Sequence, residues 1–365
     1  LPRWTEIVSG LPATVPFVGP EAQERRMGRR FSARLGANES VFGPSPKAVE
    51  AMQKAAAGLW MYGDPESHDL RHALAQHHGI KAENIVVGEG IDGLLGTLVR
   101  LLVGPGTPVV TSDGAYPTFN YHVASVGGAL TKVPYRDDAE DAQGLAKAAQ
   151  STNAALVYLA NPDNPMGSWI SAGQIAELIS ALPPDTLLCL DEAYCDFAPR
   201  GAIPPLDVTA ENIVRMRTFS KGYGLAGARV GYAIGAETTI RAFEKIRNHF
   251  GMNRLAQIGA LAALEDDPHL RSTIFRVRQS LANIGEIAGE NGLRALPSAT
   301  NFATIDCGRD GAFARALVAA LAEAGVFVRM PFVAPQDRCI RISAGRPQDL
   351  KVLRDALPKA LAAIR

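Results

Sequence analysis

The first place in this chain where covalent chemistry could occur is a lysine set among glycines and hydroxyl residues. Lys221 follows Thr218 and Ser220, precedes Gly222, Gly224 and Gly227, and is trailed eight residues later by Arg229. Loop lysines are ordinarily solvated. Here the small neighbours leave room for a ligand to approach, and an arginine can grip a phosphate through two N–H groups at once. A second candidate is Asp191, where the apolar run Leu187–Asp191 ends and continues as Glu192-Ala193-Tyr194. A carboxylate at the C-terminal end of a strand lies where α/β sheets bind ligands, and beside a pyridine nitrogen it would keep that nitrogen protonated. Taken alone, Asp191 would read as a turn cap.

Two more loops carry polar groups after apolar runs. Asn161-Pro162-Asp163-Asn164-Pro165-Met166-Gly167 follows the run 156–159, its prolines stiffening a backbone that offers amide side chains. Gly88-Glu89-Gly90-Ile91-Asp92-Gly93 fits G-x-G-x-x-G between a strand and a helix, with Asp113 twenty residues after Gly93. On spacing alone this is a dinucleotide fingerprint. Its physical content is more general, because glycines that let backbone N–H groups face a helix N-terminus can bind any phosphate.

Strand ends must be brought together to position such groups, and the hydrophobic pattern provides for that. Between 85 and 234 short apolar runs alternate with helical patterns, punctuated by Gly104-Pro105-Gly106 and a helix start at Ser171. This alternation predicts an α/β fold with a mainly parallel sheet. Beyond 251, long Ala/Leu-rich helices, the strand-like 302–305 and 339–343 and a helix near 312–324 predict a second, smaller α/β layer. The Pro-rich stretch 11–20 reads as an extended arm, and 44–57 as a helix joining the C-terminal layer. No internal repeat or low-complexity segment interrupts the pattern.

With 365 residues, 47% of them apolar, the chain can build two packed domains. Its 37 basic and 37 acidic residues cancel, so no overall field attracts nucleic acid or an anionic membrane, and small-molecule partners are expected. Cys189, Cys195, Cys307 and Cys339 lack C-x-x-C spacing and read as buried free thiols in a reducing cytoplasm. No apolar run reaches the roughly 18–20 residues of a membrane span, and residues 1–10 lack a signal-peptide pattern.

The order G-x-G-x-D, N-P-x-N-P-x-G, D-E-A-Y, S-K-x(7)-R and R-I-S-x-G resembles the fold-type I, class I/II pyridoxal-phosphate aminotransferases, most nearly the histidinol-phosphate aminotransferase branch. The resemblance runs from Leu35-Gly36-Ala37-Asn38-Glu39 to Arg341-Ile342-Ser343-Ala344-Gly345. It implies a large cofactor domain over 62–250, with a mainly parallel seven-stranded sheet flanked by helices. A smaller α/β domain would form from 1–61 and 251–365.

For the site, the resemblance implies that Lys221 holds pyridoxal 5'-phosphate as a Schiff base and then moves the proton in transamination. Backbone N–H groups of Gly90, Ile91 and Asp92, with Thr218, Ser220 and Arg229, would hold the cofactor phosphate. Asp191 would pair with the pyridine nitrogen, Asn164 and Tyr194 with the phenolic oxygen, and Phe119 would stack on the ring. Tyr62 would reach the phosphate of a neighbouring subunit, which implies a homodimer. Arg341 would take the α-carboxylate of the amino-acid partner, Arg329 the phosphate of a phosphorylated amino alcohol, and Asn38 a lesser substrate-side role. The partners are thus an amino donor and a keto or aldehyde acceptor, exchanged by ping-pong.

Three residues depart from the family pattern: Met166 for the usual Thr, Gly93 for an acid, and Phe119 for Tyr. They leave the substrate open among histidinol phosphate, aromatic and other amino acids, and they leave open a decarboxylase or C–S lyase of the same fold. A nicotinamide-dependent oxidoreductase would use the glycine motif and Asp113 but would leave Lys221, Asp191 and Asn164 without work. His68 and His72 stand four apart, with His77-His78 nearby, yet without the H-E-x-x-H pattern they predict a polar helix face and no metal. The Arg25-Arg26 and Arg29-Arg30 pairs predict a solvated surface.

Overall fold

The computed structural model describes residues 2–13 and 17–364, so part of the expected arm at 11–20 lies outside the described residues. Twelve strands are present among the described residues. In chain order they are β1 (Ala33–Arg34), β2 (Ile85–Gly88), β3 (Pro108–Ser112), β4 (Ala129–Val133), β5 (Leu156–Ala160) and β6 (Leu187–Asp191). They continue with β7 (Ile213–Thr218), β8 (Gly231–Gly235), β9 (Arg294–Ala295), β10 (Phe302–Asp306), β11 (Val326–Phe327) and β12 (Cys339–Ser343).

Seven of these form one sheet in the order β2-β8-β7-β6-β5-β3-β4. Only β8 runs against its neighbours. The central β5 and β6 are buried at every position because helices cover both faces, which is why they read as unbroken apolar runs. On one face, Leu94, Leu98, Phe119 and Val123 from the helices Gly90–Leu102 and Pro117–Ser125 pack on Val86, Tyr158 and Cys189. On the other, Leu145, Ala149, Ile175 and Leu178 pack on Val157, Leu159 and Leu188. The helix that carries Ile175 and Leu178, Ala172–Ala181, starts as expected at Ser171, in a reciprocal capping box with Gln174.

The smaller layer has its own core. Ile305 of β10 and Ile340 and Ile342 of β12 pack on Leu317, Leu353 and Leu357, with Ala33 and Leu35 contributed from near the start of the chain. The helices Pro46–Ala55 and Arg254–Leu264, expected in this layer, lie elsewhere. Ala48, Ala256 and Ala260 share a core with Leu70 and Leu74 and with Phe219 and Tyr232 from the large sheet's side. Their small apolar faces are satisfied there, so the expected boundaries at 62 and 250 do not separate the two cores.

The register lines up one edge of the large sheet. Gly88 at the end of β2 opposes Gly231 at the start of the reversed β8, and Thr218 at the end of β7 opposes the same glycine. The ends of β5 and β6 meet at Ala160 and Asp191. A Cβ on Gly231 would come within 2.7 Å of the Ile91 nitrogen, so this close approach of backbones requires glycine.

Directly after Asp191, the buried Glu192 carboxylate binds Arg215 at 2.5 Å and Arg217 at 2.8 Å, tying the end of β6 to β7. Removing one partner of a buried ion pair leaves uncompensated charge. Glu192→Gln is therefore expected to lower the unfolding free energy by about 3–5 kcal/mol, read from urea midpoints. A loss within the scatter of surface substitutions would contradict this role.

Candidate active site

The helix Gly90–Leu102 points its N-terminus at the aligned strand edge, and its N-cap Glu89 makes no side-chain capping bond. The first-turn amides of Gly90, Ile91 and Asp92 are therefore available to an anion, with the helix dipole favouring negative charge. Gly90 has φ +75°, and a Cβ there would sit 2.5 Å from the Arg229 guanidinium. Arg229, itself left-handed at φ +60°, donates to the Ala226 carbonyl at 3.1 Å and to the Ser220 hydroxyl at 3.4 Å. The Ser220 amide donates to the Thr218 hydroxyl at 3.0 Å, which sets both hydroxyls beside the helix end. The reversal of β8 is what delivers Arg229 to this edge. Two hydroxyls, one guanidinium and a free helix N-terminus form an anion cradle.

Lys221 extends from the cradle into the same cleft, which is also lined by Ile91, Asp92, Tyr116, Tyr158, Asn164, Asp191 and Tyr194. Its Nζ donates to the Asn38 carbonyl at 3.1 Å and stands 5.5 Å from the centre of the Tyr194 ring. Burial, reinforced by nearby Arg341, pulls the Lys221 ammonium down to about 8. Burial pushes the Asp191 carboxyl up to about 6, although the Tyr158 hydroxyl donates to it at 2.8 Å and the Ala193 amide at 2.9 Å. The Tyr194 hydroxyl accepts from the Asn38 amide at 3.1 Å, and burial raises it above the usual phenol range.

Next to the lysine, Arg341 of β12 and Arg329 pair through their backbones. Together with Asn164, Tyr116, Phe17 and Phe332 they line a recess continuous with the cleft at Asp92, Tyr116 and Asn164. Arg341 donates to the Asn164 side-chain oxygen and, at 3.3 Å, to the Gly36 carbonyl. The Arg329 guanidinium lies 4.1 Å from the Phe17 ring centre and is drawn down to about 10 by burial and by Arg341. Arg341 Nε and Arg329 Nη1 are buried without a hydrogen-bond partner among the described residues. Buried donors of this kind ordinarily find an acceptor, so two neighbouring cations with idle N–H groups describe an anion subsite.

The structure thus brings together Lys221, Asp191, Tyr194, Asn164, Thr218, Ser220, Arg229 and the helix end at Gly90, with Arg341 and Arg329 alongside. Asn38 is buried and holds Tyr194, Lys221 and Ser343. Phe119 does not face the cleft. It is 0% exposed and stacked on Tyr158 with ring centres 4.5 Å apart. It lies one turn into the helix Pro117–Ser125, on the side turned to the sheet, whereas Tyr116 at the N-cap stands at the cleft wall. The nearby Tyr116 was the signal that could have redirected the expectation. Tyr62 is absent from the lining of its own cleft; it is 78% exposed and packs on Phe250.

Asp113 pairs with Lys132 at 3.4 Å. His68 and His72 stack on an exposed helix face, and no group of metal-ligating side chains occurs among the described residues. None of the helices among the described residues is long and apolar enough to cross a membrane.

The donor set fits pyridoxal phosphate. The glycine-bordered cradle suits its phosphate, the buried amine its aldehyde and the buried carboxylate its ring nitrogen.

Comparison with known proteins shows the family and the fold. The profile of the family described as aminotransferase class I and II matches residues 33–357. A histidinol-phosphate aminotransferase of Moorella thermoacetica is 31% identical over 99% of this chain and 94% of its own length. The crystal structure of histidinol-phosphate aminotransferase from Sinorhizobium meliloti, in complex with pyridoxal-5'-phosphate, superposes with a TM-score of 0.97 at 53% identity. That match covers 100% of this chain and 99% of the other. An aspartate aminotransferase double mutant from Thermus thermophilus shares the fold, with a TM-score of 0.81 at 23% identity and full coverage of both chains.

The lowered Lys221 amine has a direct consequence. In competitive acylation of the cofactor-free protein, Lys221 is expected to become half-maximally reactive near pH 8. Exposed lysines are protonated until about pH 10.4 and should lag behind. Peptide mass spectrometry that found Lys221 titrating with the exposed lysines would refute the assignment.

Proposed function

The chain belongs to the class I and II aminotransferases, and we propose that its two-arginine recess admits, in turn, the carboxylate of an amino acid and the phosphate of a phosphorylated amino alcohol such as histidinol phosphate. It is a pyridoxal-phosphate-dependent aminotransferase, similar to the histidinol-phosphate aminotransferases. The observation that carries the substrate reading is the pair Arg341 and Arg329, each with a buried idle N–H group, on the substrate side of Lys221.

In this reading Gly90, Ile91, Asp92, Thr218, Ser220 and Arg229 hold the cofactor phosphate, Asp191 faces the ring nitrogen, Asn164 and Tyr194 face the phenolic oxygen, and Tyr116 covers the ring. When bound, pyridoxal phosphate supplies a protonated ring that draws electrons from the carbon next to the substrate nitrogen. Lys221 bonds the cofactor at rest and serves as the proton carrier once freed. An amine that titrates near 8 is neutral in a useful fraction and can accept and return a proton at a substrate carbon. Asp191, braced by the Tyr158 hydroxyl, keeps a negative charge available where a ring N–H would form. Arg341 orients one anionic end of the substrate, and its contact with Asn164 links that grip to the cofactor side of the cleft.

Tyr62 and its neighbours support a homodimer. Leu59, Trp60, Tyr62 and Phe250 are all more than half exposed, an apolar surface that a second copy would cover. Tyr62 would then serve the partner's phosphate cradle. The four cysteines are free thiols, in keeping with a reducing cytoplasm.

Absorption spectroscopy tests the reading. Cofactor added to the protein should give a visible band that histidinol phosphate or glutamate converts to the pyridoxamine spectrum, and Lys221→Ala should remain folded yet lose turnover. Histidinol phosphate without effect on the band, while an unphosphorylated amino acid bleaches it, would discard the phosphate role of Arg329. Release of carbon dioxide or sulfide in place of a keto product would favour a lyase. For the dimer, sedimentation should show two copies for the native chain and a shift to monomer with weaker cofactor retention for Trp60→Glu. A native monomer holding cofactor firmly would exclude the shared site.

A further inference from the structure

Behind the loop that carries Asn164 lie two buried acids to which the mechanism gives no task. Glu140 and Asp163 are 4% and 1% exposed, and neither forms an ion pair among the described residues. Glu140 accepts from the Ala160 amide at 2.9 Å and meets the Ser112 hydroxyl at 2.5 Å. Asp163 accepts from the Tyr135 hydroxyl and from the Met166 amide, each at 2.9 Å. Both acids line one small recess, together with Ala160, Asn161 and Ser168. Two carboxylates buried in one recess repel each other when both are ionised, which favours keeping one proton between them.

The position of the pair gives it a use. Asp163 immediately precedes Asn164, and its backbone closes the turn at Ser168 and Gly167. Glu140 anchors that turn to the ends of β3 and β5 through Ser112 and Ala160. The same loop meets the smaller layer, where Thr304 donates to the Pro165 carbonyl and Arg341 to Asn164.

Resting on the aminotransferase reading above, we propose that Glu140 and Asp163 form a one-proton carboxyl pair that holds Asn164 and, through it, Arg341 in register with the cleft, making Glu140 a positioning residue for amino-donor binding. Both acids are pushed upward by burial, Asp163 to about 7 and Glu140 well above the carboxylate range, which agrees with a shared proton. The charged and titratable groups facing the pair are Arg341, Asp191 and Tyr135. Arg341 alone is cationic among them, and its two terminal nitrogens donate to Asn164 and Gly36 rather than to either acid.

The test compares Glu140→Ala with Glu140→Gln. Glutamine has the shape of the protonated acid and can donate to Asp163 while accepting from Ala160. In Glu140→Ala, amide hydrogen exchange across 163–168 of the cofactor-free protein should accelerate. In the holoprotein, donor KM should rise roughly tenfold with kcat changed far less, the loss expected when one buried hydrogen-bond partner is removed. Glu140→Gln should restore both. If the alanine variant does not fold, Tyr135→Phe removes a single hydroxyl from Asp163 and should also speed exchange at Met166. Exchange and KM at native values in Glu140→Ala, or native exchange in Tyr135→Phe, would overturn the proposal. A native protein that binds no cofactor would sink the functional reading instead, leaving the exchange comparison to decide the brace.

Discussion

Removing charged groups from water is costly unless each finds a partner, and this cleft gathers Lys221, Asp191, Arg341 and Arg329 within one partly desolvated space. The surrounding backbone is organised to answer that cost. Asp191 receives the Tyr158 hydroxyl and the Ala193 amide, Lys221 rests on the Asn38 carbonyl, and Arg341 is shared between Asn164 and Gly36. The arrangement stops short of full satisfaction. Arg341 Nε and Arg329 Nη1 have no partner among the described residues, and the helix N-terminus at Gly90 has no side-chain cap. Those open valences leave the cleft able to accept anions.

Satisfying these groups also joins the two layers. Arg341 stands on β12 of the smaller layer while its partner Asn164 follows β5 of the larger sheet. Asn38, at φ +55°, links Tyr194 and Lys221 on one side to Ser343 and Asn301 on the other. A residue expected to play a minor part toward substrate is thus a hub that carries the position of the early chain segment into the cleft. Movement of one layer against the other would disturb lysine, tyrosine and arginine together.

Much of the site was legible because its chemistry is written in short stretches. Lys221 with Ser220, Gly222 and Arg229, Asp191 at the end of an apolar run, and Asn164 between two prolines are local patterns whose geometry follows from strand ends and tight turns. The helix start at Ser171 is equally local, since a capping box spans four residues. The aromatic wall was not. Tyr116 and Phe119 lie three residues apart, and which one meets the cleft depends on where the helix Pro117–Ser125 begins and which side it turns to the sheet. Glu140 and Asp163 are 23 positions apart in the chain, so nothing nearby announces that they meet.

Local pattern and residue type determined the parallel α/β scaffold, the grouping of Lys221 with Thr218, Ser220 and Arg229, and the likeness to aminotransferases. Those features depend on the order of groups along a few residues of backbone. Tertiary structure alone decided that the helices at 46–55 and 254–264 cover the larger core, that Phe119 is a core residue, that Asn38 is a hub and that two acids share a buried pocket. Each of these depends on contacts between distant segments, whose outcome is settled by competition for burial and hydrogen bonds across the whole chain.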